Sequence, residues 1–415
     1  MTHKINHANI KDWAKNYKGP LFDGILCDPP YELGFMGKSW DSSGIAFDVD
    51  MWKDLLRILK PGGHLLAFSG SRTYHRMAVA IEDAGFEIRD MIEYVYGSGF
   101  PKSLNIGKSV EAFVTTGNAS KNGFHKLDGE RRDGRIGMYD TVEEQGFRVK
   151  NPDQLGAYDL DPTTDEAKQW NGYGTALKPA HEPCVLARKP LDGTVANNVL
   201  KHGTGGLNID GARVAAEPEL AKNWTDRKAP AGFNGDKSGI YGSGKTDTPS
   251  DYTPTGRFPA NLIHDGSDEV EAVFPNNNSR FFYCSKASKS ERNAGLDNMP
   301  DMPMAMSNQA KAELKRGNTD FAGHKEGDWN GVKMLKNHHP TVKPLSLTKY
   351  LATLIKPPTG GRLLVPFSGS GSEMIGALQA GWGYVEGVEL TEEYIPIAEA
   401  RIKHWIKEPV QQELV

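Results

Sequence analysis

The chain has 415 residues, of which 38% are hydrophobic, and a formal net charge of −4. This length allows two or three domains with a sizeable core, and the acidic balance argues against a protein whose whole surface is a basic nucleic-acid footprint. The three cysteines, Cys27, Cys184 and Cys284, lie far apart without a CxxC or Cys/His zinc pattern, which argues against a disulfide scaffold or a structural zinc and fits a reducing cytoplasm. The chain has no apolar signal core at its start and no run of about eighteen apolar residues, so neither secretion nor a membrane span is expected.

The first marked feature along the chain is a strand that ends abruptly in a polar motif. Residues 25–27 predict a short buried strand, and Pro29 and Pro30 prevent it from continuing. Asp28 and Tyr31 are therefore expected at the carboxyl end of a strand, where ligands bind in open α/β sheets. These groups suit a flat molecule with an exocyclic amine, such as a nucleobase. The carboxylate and the proline carbonyls, which have no competing N–H groups, can accept from the amine, and the aromatic ring can stack on the molecule. A rigid turn with a buried tyrosine is the alternative, because short motifs produce false positives.

Helices and strands alternate over the surrounding residues. Helices are predicted at 10–17, at the apolar repeat of Trp52, Leu55, Leu56 and Leu59, and at 73–84; strands are predicted at 64–69 and 86–96. This succession predicts a parallel, doubly wound sheet. The glycine-rich loop at 34–41 is long enough to act as a lid.

The middle of the chain is rich in loops. Periodicity fades over 117–177, returns in a strand predicted at 184–188, and fades again over 190–279. Structureless connections of this length are uncommon inside a compact domain, so we interpret them as inserted functional loops or a small extra domain. His181-Glu182 is weak support for a metal site because no HExxH pattern follows, and no metal is predicted.

A second candidate site lies near the carboxyl end. A strand at 362–365, a glycine-rich loop, a helix at 373–380 and a strand at 383–389 form the nucleotide-cofactor half of a Rossmann-like sheet. The loop lacks the third glycine of dinucleotide sites and the Gly-Lys-Ser/Thr of P-loops. A GxG loop followed by an acid that accepts from ribose hydroxyls fits S-adenosylmethionine, which has no pyrophosphate. The residues expected to bind the cofactor are Pro366, Phe367, Ser368, Gly369, Ser370, Gly371, Ser372 and Glu389.

The segment before this unit, His339–Leu345, has two interpretations. In the first, its prolines mark the start of a helix, and Leu347, Leu351 and Leu354 of that helix pack in the core. Thr341 and Lys343 could in addition face the carboxylate of the cofactor, because the segment leads into the cofactor half.

Together these motifs resemble the β group of DNA amino-methyltransferases. Asp28-Pro29-Pro30-Tyr31 is similar to the catalytic motif of the family, 366–372 to its S-adenosylmethionine loop, and 339–344 to the segment before that loop. The order of catalytic motif, target-recognition region and cofactor motif is that of the β group, and further stretches resemble phage and prophage members. Val365 is a departure, since the family usually has an aspartate there that helps to orient the amino-acid end of the cofactor.

The resemblance implies an architecture. We expect an α/β, Rossmann-like sheet of the S-adenosylmethionine-dependent methyltransferase type with an inserted, loop-rich target-recognition region. The expected segments are a catalytic half (1–115), an insertion (116–177), a sheet strand (178–190), the target-recognition region (191–335) and a cofactor-binding half (336–415).

The resemblance also implies a reaction. Asp28, Pro29, Pro30 and Tyr31 would be catalytic: Asp28, which would also contact the cofactor, and the Pro29 carbonyl would accept the hydrogens of an exocyclic amine while Tyr31 stacks on a flipped-out base. The favoured target is adenine N6, because this motif is commoner in the adenine branch. Cytosine N4 remains open, as does a catalytically impaired DNA-binding homologue, which Val365 suggests. The motif order argues against a methyltransferase of RNA or of protein glutamine.

The expected partner is double-stranded DNA. The resemblance allows a homodimer and a cognate restriction enzyme, and it places the protein in the cytoplasm of a bacterial host, with a phage gene as an alternative origin.

Overall fold

A computed structural model of the chain describes residues 2–33, 39–97, 99, 103–117, 162–214, 256–274, 282–300, 302–303 and 334–406. The chain divides into two compact units, one formed by residues 1–97, 181–297 and 341–415 and the other by 98–180 and 298–340. The division into five functional segments stays a prediction.

The helices and strands of the described residues are as follows. The strands are β1 (Thr2–His7), β2 (Phe22–Cys27), β3 (Leu59–Phe68), β4 (Glu87–Val95), β5 (His181–Arg188), β6 (Leu262–His264), β7 (Phe282–Tyr283), β8 (Met302–Pro303), β9 (Met334–Leu335), β10 (Arg362–Val365) and β11 (Tyr384–Glu389). The α-helices are α1 (Ile10–Asn16), α2 (Val49–Ile58), α3 (Tyr74–Asp83), α4 (Ile106–Thr116), α5 (Asp165–Gln169), α6 (Val195–His202), α7 (Asp268–Glu271), α8 (Lys289–Asn293), α9 (Leu345–Leu354), α10 (Ser372–Gln379) and α11 (Ile395–Trp405).

The first unit is built on one nine-stranded sheet. Its strand order is β1-β11-β10-β2-β3-β5-β4-β6-β7. Every neighbouring pair is parallel except the two pairs that β5 makes with β3 and β4, which are antiparallel. The strands on which the parallel prediction rested, β2, β3 and β4, thus run in one direction, whereas β5, for which no direction was predicted, lies antiparallel between β3 and β4. The residues of β5 are apolar like those of its parallel neighbours, and the composition of a buried strand does not encode its direction.

Helices cover both faces of this sheet, as the doubly wound prediction requires. On one face, apolar side chains of α1, α2 and α3 pack with Ile25 and Cys27 of β2. On the other face, those of α9, α10 and α11 pack with Leu26. Successive residues of a strand point to opposite faces, so a short apolar run fills both cores and the sheet stays buried.

Most predicted elements lie where expected, with two differences. β3 begins at Leu59, so Leu59, which was predicted in the helix, and residues 60–63 lie in a strand that was predicted to begin at 64. β1 was not predicted because it is a polar edge strand, which gives no apolar signal, and its pairing with β11 provides its backbone hydrogen bonds. Residues 34–38 of the expected lid loop and 118–161 of the expected insertion lie outside the described residues.

The second unit contains α4, α5 and a two-stranded antiparallel sheet of β8 and β9. No helix among the described parts of the chain is long and apolar enough to cross a membrane.

The sheet topology brings the two candidate motifs to one place. β10 pairs directly with β2. From β2 the chain continues through α2 to β3 on one side, and from β10 it continues through α10 to β11 on the other. The chain thus leaves β2 and β10 in opposite directions along the sheet, which makes the boundary between these two strands a topological switch point. Ligands of open α/β sheets bind at such a point, beyond the carboxyl ends of the strands.

Candidate active site

Asp28 follows the last residue of β2 and faces a buried lysine. The Lys343 Nζ donates to Asp28 Oδ2 at 2.6 Å and to the Tyr31 hydroxyl at 2.9 Å. Lys343 comes from the segment that leads into α9, more than three hundred positions along the chain, and its side chain is 8% exposed. The Asp28–Tyr31 motif is therefore contacted by a cation from the other half of the sequence.

A second carboxylate completes this cluster. Glu182 of β5 lies 3.3 Å from the Lys343 Nζ through its Oε2, which also accepts a hydrogen bond from the Tyr31 hydroxyl. Burial lowers the pKa of Lys343, but the carboxylates of Asp28 and Glu182 outweigh it and hold the pKa above its usual value. Lys343 is thus a fixed positive charge between two acids.

One carboxylate oxygen of Asp28 is available to a ligand. Its Oδ1 is buried and has no hydrogen-bond partner in the described structure. Burial raises the pKa of Asp28 above its ordinary value, and the neighbouring Lys343 ammonium opposes that rise. A buried acceptor without a donor is costly, so such an atom indicates a site that a donor completes.

The loop that carries Tyr31 is held at both sides. The hydroxyl of Thr73 donates to the Tyr31 carbonyl at 2.8 Å. The next residue, Glu32, has a left-handed backbone with φ of 56°, a conformation that non-glycine residues rarely adopt. Its carboxylate accepts from the backbone N–H of Gly44 at 2.8 Å, which fixes the turn. The aromatic ring is thereby positioned by the scaffold.

The glycine-rich loop after β10 has the backbone that its glycines allow. Gly369 and Gly371 have φ of 47° and 81°, and a Cβ on Gly371 would lie 3.1 Å from the Cβ of Ala398. The Ser368 hydroxyl is buried and has no hydrogen-bond partner among the described residues. The glycines thus allow the loop to turn and to pack closely against α11, and the Ser368 hydroxyl is a polar atom that still needs a partner.

Glu389 closes the loop at the end of β11. Its Oε2 accepts from the Gly369 N–H and its Oε1 from the Thr391 N–H, both at 2.7 Å. Burial raises the pKa of Glu389, against the lowering effect of these backbone donors. A carboxylate has about four lone-pair positions, so Glu389 can hold the loop and still accept from ribose hydroxyls.

Arg401 of α11 supports the loop from behind. The side chain is fully buried, and its Nη1 donates to the Ser370 carbonyl at 2.6 Å, to the Ser370 hydroxyl at 2.9 Å and to the Ser372 hydroxyl at 3.2 Å. Burial lowers the pKa of Arg401 to about 10, so the guanidinium remains charged at neutral pH.

Replacing Arg401 with methionine is expected to weaken cofactor binding and to destabilise the fold. The Ser370 carbonyl would lose its charged donor, at a cost of about 3 kcal/mol in the free energy of unfolding, which urea denaturation measures. We expect affinity for S-adenosylmethionine, measured by calorimetry, to fall by about tenfold. Arg72→Met, at an exposed position, is the control; equal losses in both variants would contradict a specific role of Arg401.

The other predicted site residues are placed as follows. Pro29 and Pro366 are buried, Pro30 and Phe367 are partly exposed, and Ser370, Gly371 and Ser372 are buried. Lys343 lies against Asp28, Thr341 is exposed, and their contact with the cofactor's carboxylate stays a prediction. Val365 is fully buried in the core. His181 lies 2.5 Å from Glu93 through its Nδ1, and no metal-binding cluster of three or more His, Cys, Asp or Glu occurs among the described residues.

Sequence reasoning missed Glu182 and Arg401 of this site, and also Glu373, which is buried in the first turn of α10 directly after the glycine loop. Glu182 stands at the amino end of β5, which reaches the site only because that strand is antiparallel. In the sequence alone, Arg401 resembles an ordinary solvent-exposed residue of a helix. Glu373 offered a signal, an acid directly after the glycine loop at the first turn of α10.

The fold defines an α/β protein with two loops at its topological switch point: the first, after β2, presents a carboxylate and an aromatic ring, and the second, after β10, is glycine-rich. A family model described as DNA methylase, of the N6/N4 type, matches residues 22–400, and the chain belongs to this family. The resemblance to DNA amino-methyltransferases is therefore confirmed; the phage-like origin stays a prediction.

Comparison with known proteins gave the following similarities. The chain is similar to the M1.HpyAVI–SAM complex, with 13% identity over 97% of this chain and 100% of that chain and a TM-score of 0.39. It is similar to TTHA0409 from Thermus thermophilus, with 12% identity over 98% and 97% and a TM-score of 0.39. It is also similar to the PvuII DNA methyltransferase, described as cytosine-N4-specific, with 12% identity over 97% and 86% and a TM-score of 0.41. No curated protein matched the chain.

Proposed function

We propose that this member of the DNA methylase family transfers a methyl group from S-adenosylmethionine to the exocyclic N6 of adenine in double-stranded DNA. The observation that carries the proposal is the unpartnered Oδ1 of Asp28. Asp28 directly follows β2, the strand next to the one that leads into the glycine loop, and Lys343 donates to both Asp28 and Tyr31. The exocyclic amine of a base would donate the hydrogen bond that this buried oxygen lacks.

The residues of the second loop suit the cofactor. The Ser368 hydroxyl has no hydrogen-bond partner among the described residues, and Glu389 has lone pairs for ribose hydroxyls. The absence of a phosphate-binding lysine in this loop agrees with a ligand that has no pyrophosphate. When bound, S-adenosylmethionine supplies a methyl group already activated by a positive sulfur.

Asp28 and Tyr31 would prepare the amine. Asp28 Oδ1 and the Pro29 carbonyl each accept one amino hydrogen, which draws the nitrogen from planar towards tetrahedral and localises its lone pair. Tyr31 stacks on the ring, and positioning supplies much of the rate. After transfer the nitrogen is positively charged, so its proton is acidic and leaves without a strong base.

Lys343 would determine the protonation state of Asp28. Its ammonium occupies Oδ2 at 2.6 Å and keeps the carboxylate ionised in a buried place. Oδ1 then remains the only acceptor of Asp28 that is free for the amine. A base inside a duplex cannot reach this pocket, so the target must be flipped out.

The choice of adenine over cytosine rests on the Asp-Pro-Pro-Tyr motif, which is commoner in the adenine branch of the family. Double-stranded DNA of mixed sequence, incubated with the protein and methyl-labelled S-adenosylmethionine, should yield labelled N6-methyladenine on nucleoside mass spectrometry. The matched control is heat-denatured protein.

Other outcomes would change the proposal. Labelled N4-methylcytosine without N6-methyladenine would refute the choice of adenine and leave the methyltransferase. No labelled nucleoside from a protein that binds S-adenosylmethionine would favour the catalytically impaired homologue.

A further inference from the structure

Glu182 contacts Tyr31, but the reaction described above does not use it. It is the second residue of β5 and pairs with Tyr94 of β4. Because β5 runs antiparallel to β3 and β4, its amino end lies beside the carboxyl ends of those strands. The backbone N–H of Ser69 donates to the Pro183 carbonyl at 2.9 Å, which anchors this end of β5 beside the end of β3. Glu182 is therefore fixed by the sheet, whereas Tyr31 lies on a loop.

The Tyr31 hydroxyl has a partner on each side. An ammonium group only donates, so the hydroxyl accepts from the Lys343 Nζ at 2.9 Å. An ionised carboxylate only accepts, so the hydroxyl donates to Glu182 Oε2 at 3.3 Å. The two bonds together fix the direction of the O–H bond and the position of the hydroxyl end of the ring.

The same residue is restrained at three further points. The Thr73 hydroxyl donates to the Tyr31 carbonyl at 2.8 Å. A Cβ on Gly70 would lie 3.3 Å from Cδ2 of the Tyr31 ring, so glycine at this position leaves room for the edge of the ring. The Lys343 Nζ lies over the ring, 5.2 Å from its centroid. With the contact to Glu182, the ring is held at its hydroxyl end as well as at its base.

A ring that is ordered before its ligand arrives loses less conformational freedom when the ligand binds. Ordering one mobile side chain at an interface weakens binding by up to about tenfold. Asp28 Oδ1 has no hydrogen-bond partner in the described structure, so Glu182 does not bond to the atom proposed to accept the amine. Its direct contact with the reacting motif is the one with the Tyr31 hydroxyl.

We propose that Glu182 is a positioning residue for the target base: it holds the Tyr31 hydroxyl so that the ring is oriented for stacking before DNA binds. This inference rests on the proposed function and adds to it a residue that acts through Tyr31. A residue on a strand is a more precise support than one on a loop, so the sheet transmits its rigidity to the ring.

Replacing Glu182 with alanine is expected to weaken the use of DNA without weakening cofactor binding. The value of kcat/KM for double-stranded DNA of mixed sequence, measured with methyl-labelled S-adenosylmethionine, should fall by about tenfold. Affinity for S-adenosylmethionine, measured by calorimetry, should stay within about twofold, because the glycine loop and Glu389 are unchanged. Glu82→Ala, at an exposed position on α3, should match the unmodified chain. A parallel loss of cofactor affinity would indicate a distorted site and would overturn the inference.

Two further variants separate the hydrogen bond from the charge of Glu182. Tyr31→Phe keeps the ring without its hydroxyl and should lose at least as much kcat/KM as Glu182→Ala. Glu182→Gln keeps an oxygen acceptor without the charge, and since a neutral hydrogen bond is about half as strong, it should lose only about threefold. In a Tyr31→Phe background, Glu182→Ala should cost less than about twofold, because both substitutions remove the same bond.

The outcomes that would overturn the inference leave the proposed function intact. One is an unchanged kcat/KM in Glu182→Ala or in Tyr31→Phe. The others are additive losses in the double variant, or a loss in Glu182→Gln as large as in Glu182→Ala, since either would mean that Glu182 acts through its charge on Lys343. A folded unmodified chain that transfers no methyl group would contradict both proposals. Circular dichroism shows which variants fold, and if Glu182→Ala does not, Tyr31→Phe and Glu182→Gln decide by the same criteria.

Discussion

Replacing Asp28 with alanine is expected to lower the rate of methyl transfer by at least about 10³-fold, because it removes the acceptor that polarises the amine in the transition state. Single-turnover assays with labelled S-adenosylmethionine measure this rate. Calorimetry should show cofactor affinity within a few fold of the unmodified chain, since the glycine loop and Glu389 are untouched.

The control for this variant is Asp50→Ala, which removes an 86% exposed carboxylate at the start of α2. It should leave both the rate and the affinity unchanged. Retained transfer by a folded Asp28→Ala protein would contradict the role that we give to Asp28. Loss of cofactor binding with loss of transfer would instead mean that Asp28 acts mainly through the cofactor.

Replacing Lys343 with methionine is expected to lower both stability and activity. The carboxylates of Asp28 and Glu182 would lose the cation between them, and removing one partner of a buried ion pair costs about 3 kcal/mol in the free energy of unfolding. Transfer should fall by about a hundredfold, because an Asp28 that holds a proton is a weaker acceptor. Urea denaturation and the single-turnover assay measure the two effects.

The stability loss should depend on pH in a defined direction. Burial raises the folded-state pKa of Asp28, and without Lys343 it would rise further. Ionisation of such a group opposes folding: the cost is absent below the ordinary pKa of about 4 and complete above the folded-state value. The difference between Lys343→Met and the unmodified chain should therefore be largest at neutral pH and shrink as the pH falls. Lys349→Met, at an exposed position on α9, is the control, and a pH-independent loss would contradict the ion-pair explanation.

Much of this architecture follows from local signals in the sequence. Apolar runs that end in proline or glycine place β2 and β10, and the glycine loop with Glu389 indicates a cofactor site. These signals are local because strand ends and glycine turns depend on a few neighbouring residues. The family match over residues 22–400 confirms what the order of the motifs predicted.

Other parts depend on tertiary structure and have no local signal. Glu182 joins the site because β5 runs antiparallel, which its sequence does not reveal. The sequence analysis predicted that Lys343 faces the carboxylate of the cofactor, but it did not predict that Lys343 pairs with Asp28. That pairing depends on how the segment before α9 packs against the end of β2. Arg401 is buried by its contact with Ser370 and Ser372, although arginine on a helix usually faces solvent.

Sequencing of methylated bases in the DNA of bacteria that express the chain tests the central claim most directly, with Asp28→Ala expressed in parallel. We predict N6-methyladenine at one recurring sequence in cells with the unmodified chain and none at that sequence in cells with the variant. Identical methylation in both strains, with both proteins folded, would contradict the account.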